Sequence, residues 1–284
     1  MDGPEILVAS MCVPRPRGPR KQLWQYHPRS DAHSKLACWG VLFDLLGQSR
    51  LLRQHVSQSK VVLGVHFTLR DFSTGRKKVL DLVIARPTGG AVKRTRSMVD
   101  LAQEWGIVVN QSQAATLAVL PTLEEGPVGA VLVALEAKAT MTAHQRAEPR
   151  LYDELNSSHV TVHGASRQAL AVGLVMVNIA ETFVSPSLNP APPGPGVTSV
   201  RSLHHQPSAT VGVIEKVREI PRRRGAETEG FDGLGVIVVD MLNDNVTPVK
   251  LVTTPPAPAA GDVLHYDTMI TRTAHEYDVS FSNL

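Results

Sequence analysis

The stretch VGAVLVALEAK, residues 128–138, decides how the rest of the chain is read. Its first eight residues carry no charge and are apolar almost throughout, the pattern of a strand covered on both faces. Its end carries two opposite charges, Glu136 and Lys138, on either side of Ala137. Side chains alternate along a strand, so these two lie side by side on one face of a sheet. A second run, VLDLVIA at 79–85, holds Asp81 in its interior. Taking such charges out of water is costly unless each is paired or binds a cation, so each of the three needs a reason.

Working outward, the apolar run 61–69 precedes turn chemistry at Asp71 to Gly75 and then the 79–85 run, which together predict a β-hairpin with Arg76, Lys77 and Lys78 at the start of its return strand. Leu36, Trp39, Leu42, Phe43 and Leu46 predict a helix over 32–47 with Ser30 or Asp31 as its cap. Shorter helices are expected at 51–57 and 97–105. Another is expected over 143–157, broken or kinked at Pro149. Residues 170–179 and 234–242 read as buried strands, and 208–219 and 262–277 as helices. The fold class is α/β, a mixed sheet flanked by helices. Residues 1–30, rich in arginine and proline, read as a basic arm or surface loop ahead of one domain over 31–284. A proline-rich loop at 185–200 interrupts that domain, and 201–284 either completes the sheet or forms a small subdomain.

With 284 residues, 43% hydrophobic and 19% charged, the chain is excluded from disorder over its whole length and needs no disulfide or structural metal to fold. Its two cysteines, Cys12 and Cys38, cannot form a disulfide framework or a four-cysteine zinc site. The longest apolar run, Ala169 to Ala180, is interrupted by Asn178 and too short to span a bilayer. Asp2 and Glu5 ahead of the first apolar stretch give the wrong charge order for a secretory signal, so a cytoplasmic location is expected.

Two carboxylates converging from neighbouring strands make a hard oxygen site suited to Mg²⁺, and a nearby lysine completes a kit for phosphodiester hydrolysis. Asp81 on the return strand of a hairpin, Glu136-Ala137-Lys138 on the next strand and a helix after it resemble the PD-(D/E)XK nuclease superfamily, which includes many restriction endonucleases. The resemblance covers residues 31–183, whose expected order is helix, three strands, helix, strand. It implies a restriction-endonuclease-like core and metal ligation by Asp81 and Glu136. Lys138 would be the catalytic lysine, with Gln145 as a polar supporting residue on the following helix. Asp44 is the acidic candidate on the first helix. Leu80 stands where the family pattern has proline, and the long interval from Asp81 to Glu136 requires an inserted helix.

The implied function is Mg²⁺-dependent endonucleolytic cleavage of double-stranded DNA, restriction-type, by a homodimer whose twofold symmetry matches that of a duplex target. A non-cleaving DNA-binding or assembly protein that retains the fold is the alternative. The bland reading of the three charges is an ion pair of Asp81 with Lys138 and a solvated Glu136.

Basic clusters at Arg15 to Lys21, Arg76 to Lys78, Lys93 to Arg96 and Arg222 to Arg224 suit a phosphate backbone. His144, Thr140 and Thr142 are further candidates for phosphate contact. His159 and His163 suit a metal only on a helix, and the alternating valines around them favour extended chain. The glycine-rich stretch 230–235 precedes a strand and reads as a tight loop; Asp240 and Asp244 near the end of that strand could form a further acidic site, but Asn243, Asp244 and Asn245 read as a turn. Neither a G-x-S-x-G elbow nor a P-loop is present.

Overall fold

The computed structural model describes residues 1–71, 74–89, 96–194, 196–225 and 228–284. In chain order, α1 (Gly3–Met11) is followed by the short hairpin β1 (Arg15–Arg17) and β2 (Gln22–Trp24), then by α2 (Ala32–Gln48) and α3 (Arg50–Ser57). The long hairpin β3 (Val62–Arg70) and β4 (Lys77–Pro87) leads to α4 (Met98–Trp105) and α5 (Gln111–Val119). Next come β5 (Val128–Thr140), α6 (His144–Ala165), β6 (Leu170–Asn178) and the small pair β7 (Thr182–Val184) and β8 (Arg201–Leu203). The chain ends with α7 (Ser208–Arg218), β9 (Gly233–Asp240), β10 (Lys250–Val252) and α8 (Tyr266–Ser280).

One six-stranded mixed sheet organises these elements in the order β10-β9-β6-β5-β4-β3. The β3–β4 and β4–β5 pairs are antiparallel, β5–β6 and β6–β9 parallel, and β10 runs antiparallel on the edge of β9. The parallel centre explains the unbroken apolar runs, since β6 is buried at every position and must be covered on both faces. On one face the core contains Trp39, Phe43 and Leu42 of α2, Ile6 and Leu7 of α1, and Ile270 and Tyr277 of α8. On the other it contains Leu155 and Val162 of α6 with Val213 and Val217 of α7.

The main elements lie where their periodicity predicts, and the exceptions have physical causes. Residues 1–30 do not form a loose basic arm. Ile6, Leu7 and Met11 bury α1 against α2, and the Asp44 carboxylate accepts hydrogen bonds from the Asp2 and Gly3 amides at 2.9 and 2.8 Å. This places Asp44 as a cap on α1, where its charge compensates unpaired amide donors. α6 continues through Pro149 to Ala165, because Leu151, Leu155, Ser158 and Val162 recur at helical spacing and pack on the sheet. The alternating valines at 160 and 162 therefore sit on a helix, Val162 inward and Val160 37% exposed. α5, closed at its start by a reciprocal cap between Asn110 and Gln113, has no counterpart in the sequence reading. After the proline-rich stretch, β9 and β10 join the same sheet.

Candidate functional site

Asp81, Glu136 and Lys138 come together where β4 and β5 part. Their ladder runs from Pro87↔Val128 to Leu82↔Leu135, and beyond it the Asp81 side chain takes over: its Oδ2 accepts the Ala137 N–H at 2.9 Å. A backbone donor that would otherwise bond to the neighbouring strand thus fixes a carboxylate between Glu136 and Lys138. On β3, the ladder pairs at Val65 and Phe67 flank His66, which faces the Asp81 position and adopts φ +49°. For a non-glycine residue inside a strand this is strained backbone. His66 Nε2 lies 3.2 Å from the Asp31 carboxylate just ahead of α2.

Lys138 Nζ is 2.9 Å from Glu136 Oε1 and 3.1 Å from Glu154 Oε2 of α6. Lys78 approaches from β4, with Nζ 3.8 Å from Glu136 Oε1 and donating to the Glu154 carbonyl at 2.9 Å. The side chain of Glu136 is 5% exposed, and its second oxygen, Oε2, is buried with no hydrogen-bond partner among the described residues. The bland reading fails on both counts: Lys138 pairs with Glu136, and Glu136 is not solvated.

Burial raises the Glu136 pKa, Lys138 opposes that shift and Asp81 adds to it. Burial acts to lower Lys138, but Glu136 and Glu154 outweigh it and hold the amine above its usual value. Lys78 is lowered, chiefly by burial. His33, at the start of α2, is pushed down to about 4 by burial, with Asp81 opposing and Arg17 and Lys138 assisting. At neutral pH the site therefore holds a protonated Lys138 and a neutral His33, while burial makes the charged form of Glu136 costly.

That cost gives a signed pH dependence. Because the folded pKa of Glu136 lies above the unfolded one, the folded state binds the proton more readily, and stability falls as pH rises through the interval between the two values. Glu136→Gln is expected to raise the thermal midpoint at pH 7 and to flatten that part of the pH–stability curve, as read by thermal melts from pH 4 to 8.

Among the described residues, no group of three or more His, Cys, Asp or Glu side chains is arranged to hold a metal ion. Mg²⁺ does not require such a group, since it binds through one or two carboxylates and keeps water or phosphate oxygens in its other positions. The buried, unpartnered Glu136 Oε2 beside the fixed Asp81 carboxylate fits that demand. If Asp81 and Glu136 hold Mg²⁺, millimolar Mg²⁺ raises the thermal midpoint of the wild type and leaves that of Glu136→Gln unmoved.

Gln145 lies elsewhere. It is exposed at the start of α6, nine residues before Glu154 and so about 13.5 Å away along the axis. There it lines a cavity of about 530 Å³ with Arg146, His204 and His205. The α6 residue that reaches Lys138 is Glu154. Glu154 falls inside the helix expected over 143–157, and its neighbours Leu151 and Leu155 put that stretch against the sheet, but nothing in the letters pairs it with Lys138. His33 was missed for a different reason: its approach to Asp81 comes from the packing of α2 on the sheet.

His144 is a satisfied buried histidine, its Nε2 2.7 Å from the Asn178 carbonyl oxygen. Thr140 is buried, and Thr142 Oγ1 is 3.0 Å from His204 Nε2, so neither presents a free hydroxyl to a backbone. His159 and His163 stand one helical turn apart on α6, their ring centroids 6.3 Å apart, in place of the expected extended chain. Each ring has a partner, Asn156 for His159 and Asp232 for His163. Asp244 accepts from Val246 and Thr247 as a turn residue.

The basic clusters are partly structural. Arg17 and Arg223 are buried, the latter near Asp232, while Arg96 pairs with Glu125 and Glu104. Lys78 turns into the site. Arg20, Arg76, Lys77 and Arg224 are exposed. Lys93, Arg94 and Thr95, like Phe72 and Ser73 of the expected turn, lie outside the described residues. No helix among the described residues is long and apolar enough to cross a membrane. The chain matches no protein-family model, no curated protein and no solved structure.

Proposed function

We propose that this chain is a Mg²⁺-dependent endonuclease that hydrolyses phosphodiester bonds of double-stranded DNA, a restriction-type enzyme with a PD-(D/E)XK core built on α2, β3, β4, β5, α6 and β6. One observation carries the reading: a buried carboxylate oxygen without a partner, Glu136 Oε2, next to the anchored Asp81 carboxylate and within reach of the Lys138 amine. Asp81 and Glu136 would hold the ion. Mg²⁺, when bound, polarises the scissile phosphate and lowers the pKa of a coordinated water.

The chain's own groups set the rest. The Ala137 amide holds Asp81 in one orientation. Glu136 and Glu154 hold Lys138 from two sides and keep it protonated, so it serves as a cation and hydrogen-bond donor to the charge that grows on the phosphoryl oxygens. This excludes a general-base role for Lys138 at neutral pH, because its lone pair is already bound to a proton. A homodimer supplies the two sites that cutting both strands requires.

The alternative, a DNA-binding or assembly protein that keeps the fold without cutting, draws on the same clamp, which already occupies two of the three N–H donors of Lys138. Incubation with supercoiled plasmid separates the two. Endonuclease activity gives nicked and linear products with Mg²⁺ and none with EDTA; binding without products assigns the alternative.

A further inference from the structure

Between the β1–β2 hairpin and the loop 186–190 lies a cavity of about 340 Å³. Arg17, Arg20, His27 and Arg29 line it, and no carboxylate does. Arg17 is only 5% exposed, and its one side-chain hydrogen bond among the described residues runs from Nε to the Trp24 carbonyl at 2.8 Å. Its burial and the like charge of Arg15 lower its pKa to about 10, and Asp31 offsets only part of that. A guanidinium taken out of water among other cations is an arrangement that an anion stabilises. The walls are built: Arg20 Nη1 and Gln22 Nε2 both donate to the Pro190 carbonyl at 3.2 Å, tying the hairpin to the proline-rich loop.

One side chain, His33, lies within electrostatic range of both the cavity and the carboxylate site. Trp24 is followed two residues later by Tyr26, whose ring centroid is 5.2 Å from that of His33, and His33 is close enough to both Arg17 and Asp81 to feel the charge of each. A planar guanidinium fork suits the paired oxygens of a phosphate. We propose that this cavity is a subsite for a backbone phosphate of the DNA strand whose scissile bond lies at Asp81, Glu136 and Lys138, with Arg17 as the fixed cation and Arg20 and Arg29 closing on the phosphate from the rim. The inference rests on the endonuclease reading and adds to it the path of the strand away from the site, over the hairpin that the sequence presents as a basic arm.

The test is equilibrium binding of the full chain to a duplex oligonucleotide in EDTA over a range of salt, for wild type, Arg20→Ala, Arg29→Ala and the double variant. Both arginines are exposed, so the fold is retained, which thermal melts check. Arg50→Ala, exposed at the start of α3 and separated from the hairpin by the whole length of α2, is the control. Each arginine removed from the cavity is expected to weaken binding severalfold, whatever the DNA sequence, and to reduce the slope of log K against log salt by about one; Arg50→Ala leaves both unchanged. Unchanged affinity and slope in the double variant, with a wild type that binds and cuts, overturns the subsite alone. A wild type without salt-dependent affinity for duplex overturns the endonuclease reading, and the subsite with it.

Discussion

Lys138→Ala and Asp81→Asn are each expected to reduce Mg²⁺-dependent plasmid cleavage by at least about a hundredfold, the scale on which removal of one aligned electrostatic group is felt in a transition state. The two substitutions act by different routes. Asp81→Asn keeps a side-chain oxygen to accept the Ala137 N–H but removes the negative charge that an ion needs, so it lowers metal affinity while leaving the strand junction intact. Lys138→Ala removes the cation that the endonuclease reading places beside the reacting phosphate. It also leaves Glu136 facing only Lys78, at 3.8 Å, so the buried carboxyl takes up a proton at higher pH and becomes a poorer ligand. The pH–rate profile separates the routes: loss of Lys138 shifts the acidic limb to higher pH, whereas Asp81→Asn is rescued in part by raising the Mg²⁺ concentration. Cleavage that survives both substitutions rejects the site.

Asn178→Ala is expected to destabilise the fold by about 4 kcal/mol, the largest effect on stability outside the hydrophobic core. Asn178 is 0% exposed at the end of β6. Its Nδ2 donates to the Met141 carbonyl at 3.1 Å and to the Met241 carbonyl at 2.9 Å, and its Oδ1 accepts from the Met241 and Ala180 amides at 3.0 and 3.1 Å. One side chain thus joins the segments that leave the ends of β5, β6 and β9. Truncation strands four backbone groups in a space closed to water, each of which costs about 1–3 kcal/mol when unpaired, partly relieved by local relaxation. The bonds from His144, Gln206 and Thr210 go to the backbone carbonyl of Asn178 and survive the change, so the loss isolates the amide. Urea unfolding with an unchanged slope measures it; a midpoint within error of the wild type shows that the four groups are satisfied some other way.

Asn178 also shows how far the letters can be read. It stands out in the sequence only as a break in an apolar run, because the three chain segments it joins lie far apart along the chain and meet only after the sheet has formed. The same limit governs the candidate site. That Glu136 and Lys138 share a face follows from strand period alone, and that Asp81 sits on a buried strand follows from its neighbours. That Glu154 would grip Lys138, that Gln145 would lie too far along α6, and that His33 would approach Asp81 depended on how helices dock on a sheet. The alternating valines at 160 and 162 hid the last turns of α6, which ends at Ala165 and not at 157, and the local cost of Pro149 inside the helix is offset by the apolar stripe that follows it.

The sequence by itself determined an α/β fold with a buried parallel centre, since uninterrupted runs of valine, leucine and isoleucine are stable only where both faces of a sheet are covered. It also determined that three charges on two of those strands demanded an explanation. Only the tertiary structure decided what those charges meet: the amide that fixes Asp81, the second carboxylate that clamps Lys138, and the oxygen of Glu136 left without a partner. Period and composition act over a few residues, whereas desolvation and charge pairing depend on every group within several ångströms, from whichever part of the chain it comes.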